Sequence, residues 1–278
     1  MENTLSIIGA GKVGRTLAHL WTGTNSVVVH DVLNRSLPSA QDACSFIGAG
    51  RAIASFSELR AASIYLIATP DDDILPSCNA LAATGLLNPD SIVFHCSGAK
   101  SAAILQAAAQ CGAAVASVHP IRSFASPEQL IDYFAGTYCG AEGDPRALAV
   151  LGVLFSAIGG NMVAIDSERK ILYHAAAVFA SNYLVTLLDL ARHAYMEAGV
   201  TPDTALQLME PLVRATVDNV FRLGPAAALT GPIARGDMAT VRLQQDAVDD
   251  WQTRYGDLYR DFAKLTVELA ARRKAGTD

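Results

Sequence analysis

LSIIGAGKVGRTLAHLW, residues 5–21, decides the fold. A short apolar run at 5–8 enters Gly9-Ala10-Gly11-Lys12-Val13-Gly14 and leaves as an apolar-periodic segment at 15–21, which is the order strand, glycine turn, helix. Gly9 permits a tight turn, Gly11 lets a pyrophosphate approach the backbone, and Gly14 lets helix pack closely on strand. The helix that follows faces that anion with its amino terminus, with Lys12 and Val13 of the turn among the residues expected at the cofactor. A turn made only for packing explains one of these glycines and leaves the other two without a purpose. The pattern G-x-G-x-x-G is weak alone; the flanking strand and helix are what make it specific here.

The same alternation continues outward. Residues 27–33 read as strand, 37–47 as helix, and 63–68 (SIYLIA) as an apolar strand ending in Thr69-Pro70. A helix at 74–83, a strand at 91–95, a helix at 101–111 and a strand at 113–118 follow. Near-continuous apolar strands between helices predict a parallel α/β sheet of the Rossmann type, covered on both faces. Ligands of such a sheet bind at the carboxyl ends of its strands. There the sequence offers Gly9 to Gly14, Asn34-Arg35-Ser36, Thr69-Pro70, His95-Cys96-Ser97-Gly98 and His119-Pro120. Thr69 and Pro70 either shape the loop beside a dinucleotide or make an ordinary turn.

The second strand poses a question about the cofactor. Asp31 lies 22 positions after Gly9 and Arg35 lies 26, and both distances reach the ribose. If the strand runs through Leu33, Asp31 is inside it and Asn34, Arg35 and Ser36 form the tip, which suits a 2′-phosphate and NADP(H). If the strand ends at His30, Asp31 takes the tip and a free 2′-hydroxyl is preferred.

Residues 140–145 read as a linker or turn, 146–158 as helix and 161–165 as a last strand. Beyond that the signals are helical: one long helix at 168–198, apolar nearly all round, then helices opened by Thr201-Pro202, broken at Gly224-Pro225, and a final one from 238 to about 271 capped by Asp237. A helix apolar on every side needs cover on every side. A second copy of the chain is the expected cover, so a homodimer through the helical half is predicted. The expected organisation is a dinucleotide-binding domain at 1–165 and an all-α substrate and dimerisation domain at 166–278, with a cleft between them.

The net charge of −6 gives no basic face for nucleic acid or a membrane surface, and 51% hydrophobic residues suffice for a sizeable core. Five cysteines lack C-x-x-C spacing, and no metal site is expected. No basic segment precedes an apolar one at the start, and no uninterrupted apolar run reaches the roughly 18 residues that span a bilayer. These readings predict a cytoplasmic protein acting on a small molecule.

Two histidines and a serine, His95, Ser97 and His119, collect at the sheet's carboxyl edge. A histidine exchanges a proton near neutral pH, as carbonyl reduction requires, and Ser97 with the amides of Gly98 and Ala99 could hold a carboxylate. Each histidine could equally satisfy a strand-end carbonyl. Lys170, His174, Ser181 and Asn182 fall near one face of the long helix, as a substrate contact or as a buried network at a dimer seam. Arg235, in TGPIARGD, could grip a carboxylate or clamp Asp237 across the turn.

IIGAGKVGRTLA, NRSLPSAQDACSFIGAG, HCSGA, VHPIRSF, YHAAAVFASNYL and TGPIARGD, in this order, resemble the Rossmann-like oxidoreductases whose second half is a helical domain of unknown function. That family is similar in fold to pyrroline-5-carboxylate reductase, ketopantoate reductase-like proteins and the 6-phosphogluconate dehydrogenase superfamily. The resemblance implies NADP(H), a helical dimer, an all-α second domain of the 6-phosphogluconate dehydrogenase type, and a ketopantoate-like 2-oxo acid as substrate. HCSG and VHP are also similar to the serine and histidine of prephenate dehydrogenases, which makes Ser97 and His119 site candidates. The lysine and asparagine that 3-hydroxyacid dehydrogenases place four residues apart are here Lys170 and His174, with Asn182 two turns further on. In the leading reading His119 or His174 supplies the proton, Ser97 and Asn182 complete the catalytic set, and His95, Ser97, Arg235 and Asp237 stand at the substrate. A binding protein that senses the cofactor without chemistry is the alternative, and a prephenate-type dehydrogenase is another.

Overall fold

The structure, a computed structural model, describes residues 3–275. The chain divides into two compact units, Met1–Ser181 and Asn182–Asp278. The first opens with β1 (Thr4–Ile8), α1 (Lys12–Gly23), β2 (Val28–Leu33), α2 (Leu37–Ile47), β3 (Arg51–Ile53) and β4 (Ile64–Ile67). It continues with α3 (Asp71–Ala83), β5 (Ile92–His95), α4 (Gln106–Gln110), β6 (Ala114–Pro120), α5 (Pro127–Tyr133), β7 (Tyr138–Gly143), α6 (Pro145–Ala157), β8 (Asn161–Ala164) and α7 (Lys170–Ala180). The expected division at 165/166 followed the last strand, whereas by its contacts α7 groups with the sheet unit.

The strands form one sheet in the order β3-β2-β1-β4-β5-β6-β7-β8. The pairs from β3 to β6 are parallel, as the apolar strands predict. Between β1 and β4 the order reverses, which opens a crevice at the carboxyl ends of both strands. Alternation along β1 sends Leu5 and Ile7 into one core layer and Ile8 into the other. Fully buried Trp21 anchors the first layer, edge-on to Phe155 at 5.2 Å, with its indole N–H donating to Leu154 O at 2.8 Å. A buried indole needs such a partner.

Three sequence expectations about this unit are corrected. Residues 140–145 are no linker: β7 runs antiparallel to β6, with His119 opposite Gly140 in register. Its glycines answer to crowding. A Cβ at Gly140 would overlap the Tyr173 hydroxyl, and one at Gly143 (φ +135°) would lie 2.5 Å from Val115 O. The helix expected at 101–111 is a 3-10 turn, Ala102–Leu105, followed by the short α4. The long helix expected at 168–198 breaks at Ser181 (φ −124°, ψ −72°) into two helices.

Within Ser167–Glu197 a window of 18 residues has a mean hydropathy of 1.5, which by length and composition alone is enough to cross a membrane. Counting uninterrupted apolar residues overlooks it because single polar residues such as His174 punctuate it. Ile171 and Leu172 on it are each 67% exposed.

The second unit holds α8 (Asn182–Glu197), α9 (Pro202–Leu223), α10 (Pro225–Ala228), α11 (Pro232–Arg235), α12 (Met238–Trp251) and α13 (Thr253–Ala275). Thr201 caps α9, and Gly224 (φ 81°) ends it. The expected single final helix is two, parted at Gln252, where the backbone is extended (φ −161°). Among the described residues, Ala205, Met209, Ala226 and Val241 are this unit's buried hydrophobic side chains. Val185, Phe221 and Leu243 are exposed.

Candidate active site

The glycine turn has the geometry its spacing predicts. Gly9 adopts φ +84° and donates to Leu33 O at 2.7 Å, and a Cβ on it would lie 2.7 Å from the Thr69 nitrogen. Above Gly11 no atom lies within 4 Å of where a Cβ would be, so a ligand can reach the backbone there. At Gly14 that position is 3.1 Å from the Ala68 side chain, which makes Gly14 the helix-on-strand contact. Gly11 provides no side-chain cap for α1. The first N–H groups of that helix, at Lys12, Val13 and Gly14, are therefore available to an anion. The Lys12 side chain turns away and donates to Ala125 O at 2.8 Å.

A cavity of about 600 Å³ runs along this turn, lined among others by Arg15, Asn34, Arg35, Ser36, Thr69 and Pro70. The Thr69 hydroxyl is buried in it without a hydrogen-bond partner among the described residues. Open backbone above Gly11 and an orphaned hydroxyl at Thr69 fit a dinucleotide. Asn34 is committed elsewhere: its Oδ1 accepts from Ala10 N–H at 2.6 Å, and its Nδ2 donates to Ser39 O at 3.0 Å, tying the glycine turn to the loop after β2. Ser36 caps α2 by accepting from Ser39 N–H, and Arg35 is exposed. Arg15, Ser39 and Ser55 also line the cavity, and no motif points to them.

The strand question is answered by β2, which runs through Leu33 and leaves Asn34, Arg35 and Ser36 at its tip. Asp31 has no exposed surface. Burial by itself would raise its pKa, but hydrogen bonds from Arg60 and Arg51, at 2.9 Å each, outweigh this and hold the carboxyl below its ordinary value. That carboxylate is occupied by two arginines within its own fold.

A second cluster forms where β5, β6 and β7 meet α7. His119 Nδ1 lies 3.0 Å from the Tyr173 hydroxyl, and the His119 and His174 rings are 5.6 Å apart. Gly98 makes room for both, since a Cβ there would overlap His174 Nδ1 and come within 2.9 Å of His119 Nε2. Nδ1 of His174 is buried without a partner among the described residues. Burial, then the charges of His174 and Lys170, push His119 down to about 4, so it is neutral at neutral pH.

Other expected site residues take structural roles. His95 is corrected as a substrate contact: it has no exposed surface, accepts from Ser97 N–H at 3.1 Å and pairs its other ring nitrogen with Ser101 O at 3.2 Å. The Ser97 hydroxyl accepts from the amides of Ala99 and Lys100, which removes the Ala99 amide from the expected carboxylate cradle. Asp237, expected at the substrate, spends both oxygens capping α12, on the amide and hydroxyl of Thr240. Lys170, expected as a substrate contact or in a buried network at a dimer seam, lies in a buried network within its own chain. It is 1% exposed, with Nζ on Glu142 at 3.0 Å and on the Ser117 hydroxyl, and its pKa is lowered by burial against the opposing pull of Glu142. Asn182 begins the second unit, where its carbonyl accepts from Thr186. Arg235 is exposed and lines a cavity of about 600 Å³ in that unit with Thr230 and Arg273. Tyr173, Glu142 and Ser117 escape sequence reasoning; a tyrosine three residues after a lysine on an apolar helix is their only trace.

A Rossmann-like domain model matches residues 2–120, and a model of DUF2520, a domain of unknown function, matches residues 137–266. The chain joins a Rossmann-like domain to a DUF2520 domain. Protein TM1727 from Thermotoga maritima is similar to this Rossmann-DUF2520 chain at 27% identity and a TM-score of 0.77, over 97% of this chain and 99% of that one. BF3122 from Bacteroides fragilis, assigned as an NADP oxidoreductase, is similar at 20% identity and a TM-score of 0.77, over 96% of this chain and 98% of that one. A pyrroline-5-carboxylate reductase from Coxiella burnetii shares the fold at 16% identity and a TM-score of 0.61, over 97% and 99% of the two chains. No curated protein matches.

Proposed function

We propose that this chain is an NADP-dependent oxidoreductase that reduces a small carboxylate-bearing carbonyl compound, a 2-oxo acid of the ketopantoate type. One observation carries the reading of the cofactor: Asp31 is enclosed by Arg51 and Arg60, while Arg35 and Ser36 stand at the tip of β2 on the dinucleotide cavity. An arginine and a hydroxyl at that tip suit a 2′-phosphate. The amides of Lys12 to Gly14 hold the pyrophosphate, and Thr69 and Pro70 shape the wall nearer the nicotinamide. When bound, NADPH supplies a hydride. His119, neutral, presents a ring N–H to the carbonyl oxygen as negative charge develops there, and His174 shares that position across Gly98. The apolar surface of the helical unit is covered by a second copy of the chain, giving a homodimer.

The test is a titration of NADPH and NADH by ligand-quenched fluorescence, followed by NADPH oxidation over a panel of 2-oxo acids that includes ketopantoate, with prephenate and NADP+ run in the opposite direction. Arg35→Ala is expected to weaken NADPH by about tenfold or more, the scale of a charge-assisted contact, and to leave NADH nearly unchanged. Equal losses for both cofactors would remove the NADP assignment. Tight NADPH binding with no turnover over the whole panel would instead mark a sensing protein.

A further inference from the structure

We propose that Tyr173 is a positioning residue that fixes the tautomer of His119: its hydroxyl donates to Nδ1, so the ring hydrogen sits on Nε2, the nitrogen beside Gly98 and His174. The catalytic meaning of this rests on the function proposed above; the tautomer itself does not.

The arrangement is built from the sheet outward. His119 on β6 and Gly140 on β7 are partners in register, so the backbone opposite the imidazole carries no side chain. Into that gap comes Tyr173, whose hydroxyl stands where a Cβ of residue 140 would be. The helix that carries it is anchored one turn earlier. Lys170, at the start of α7, reaches Glu142 on β7 and Ser117 on β6, and residues three and four further along the same face are Tyr173 and His174. The buried ion pair therefore sets the height at which both side chains meet β6 and β7.

The direction of the hydrogen bond follows from the two groups that share it. A neutral imidazole has one acceptor nitrogen and one N–H, and whichever nitrogen accepts decides where the hydrogen goes. The Tyr173 phenol is pushed up to about 12 by burial, so it keeps its proton. Its single hydrogen is then directed to His119 Nδ1 at 3.0 Å, with the two rings edge-on at 87°. Nε2 carries the hydrogen and faces the space that only a glycine at 98 leaves open. No motif predicts this, because Tyr173 is 54 residues from the histidine it orients.

The experiment reads the histidine ring directly. Two-bond ¹⁵N–¹H correlation spectra of the full chain at neutral pH, with the His119 resonances identified by their loss in His119→Gln, distinguish the Nε2–H from the Nδ1–H tautomer without any substrate. The expected result is a single Nε2–H tautomer in the wild-type protein and a mixture in Tyr173→Phe, which keeps the ring in its seat on Gly140 and deletes only the donor. An Nδ1–H tautomer in the wild type, or a tautomer unmoved by Tyr173→Phe, overturns the proposal. Where turnover of a 2-oxo acid is established, Tyr173→Phe is expected to lower kcat about tenfold, the factor carried by one ordinary hydrogen bond, with KM and NADPH affinity unchanged. A shifted tautomer with unchanged kcat would sustain the positioning by Tyr173 and strike out the proton role of His119 instead.

Discussion

The two units solve the burial problem differently. The Rossmann-like unit encloses its own core: two layers of side chains fill both faces of the sheet, and the charged or ionisable side chains Asp31, His95 and Lys170 in its interior each have partners. The helical unit buries four hydrophobic side chains among its described residues and leaves Phe221 85% and Leu243 70% exposed. A sheet with helices on both faces is a closed object, whereas helices with apolar residues on several sides are not. The first unit should therefore be damaged by changes to its interior, and the second by changes to its surface.

Trp21→Ala is the most severe way to sharpen this contrast. It empties a fully buried site among Phe94 and Phe155 and is expected to cost about 3–5 kcal/mol, read as a lowered midpoint in urea unfolding. A change below about 1 kcal/mol would mean that the sheet core is loosely packed and the contrast is overstated. Acid should act on the same unit by a smaller amount. His95 and His119 are both held at about 4, against 6.5 when unfolded, mainly by burial. The unfolded chain then binds protons first, so stability falls as pH drops through the window from 6.5 to about 4; the histidines' share of the fall levels off below it, where Asp31, held below its ordinary value, begins to lose its own contribution. His95 alone contributes about 3 kcal/mol to that fall. Unfolding midpoints measured across this range should follow the slope, and in His95→Gln the slope should lessen. A pH-independent midpoint would contradict the buried, neutral state of His95. Val185→Asp and Leu243→Asp have the smallest expected effect on unfolding if nothing covers them, within about 0.5 kcal/mol. By sedimentation, however, they should convert a dimer to monomers. An unchanged sedimentation coefficient would break the comparison at its helical half.

The legible parts of this protein were those written in adjacent residues. Strand, glycine turn and helix at 5–21, the end of β2 at Leu33 and the cap at Thr201 depend on neighbours in the chain, and the structure has all of them where periodicity and capping place them. Misreadings came where a residue answers to something distant. Gly140 reads as a turn former, yet it is a strand residue kept bare for Tyr173. His95 at a strand end reads as a ligand, yet Ser97 and Ser101 consume both of its nitrogens. Lys170 reads as a substrate contact or as part of a buried network at a dimer seam, yet its buried network is with Glu142, 28 residues earlier in the same chain.

The chain's local order was enough to set its class, its dinucleotide turn and the arginine and serine at the tip of the second strand, because hydrogen-bonded turns and apolar periods are short-range. Which polar groups are spent on structure and which remain free for chemistry was settled only by folding. Desolvation favours a partner for each buried polar group, and the partners of Asp31, His95, His119 and Lys170 come from other elements of the sheet unit, whereas the Thr69 hydroxyl and His174 Nδ1 are left without one among the described residues.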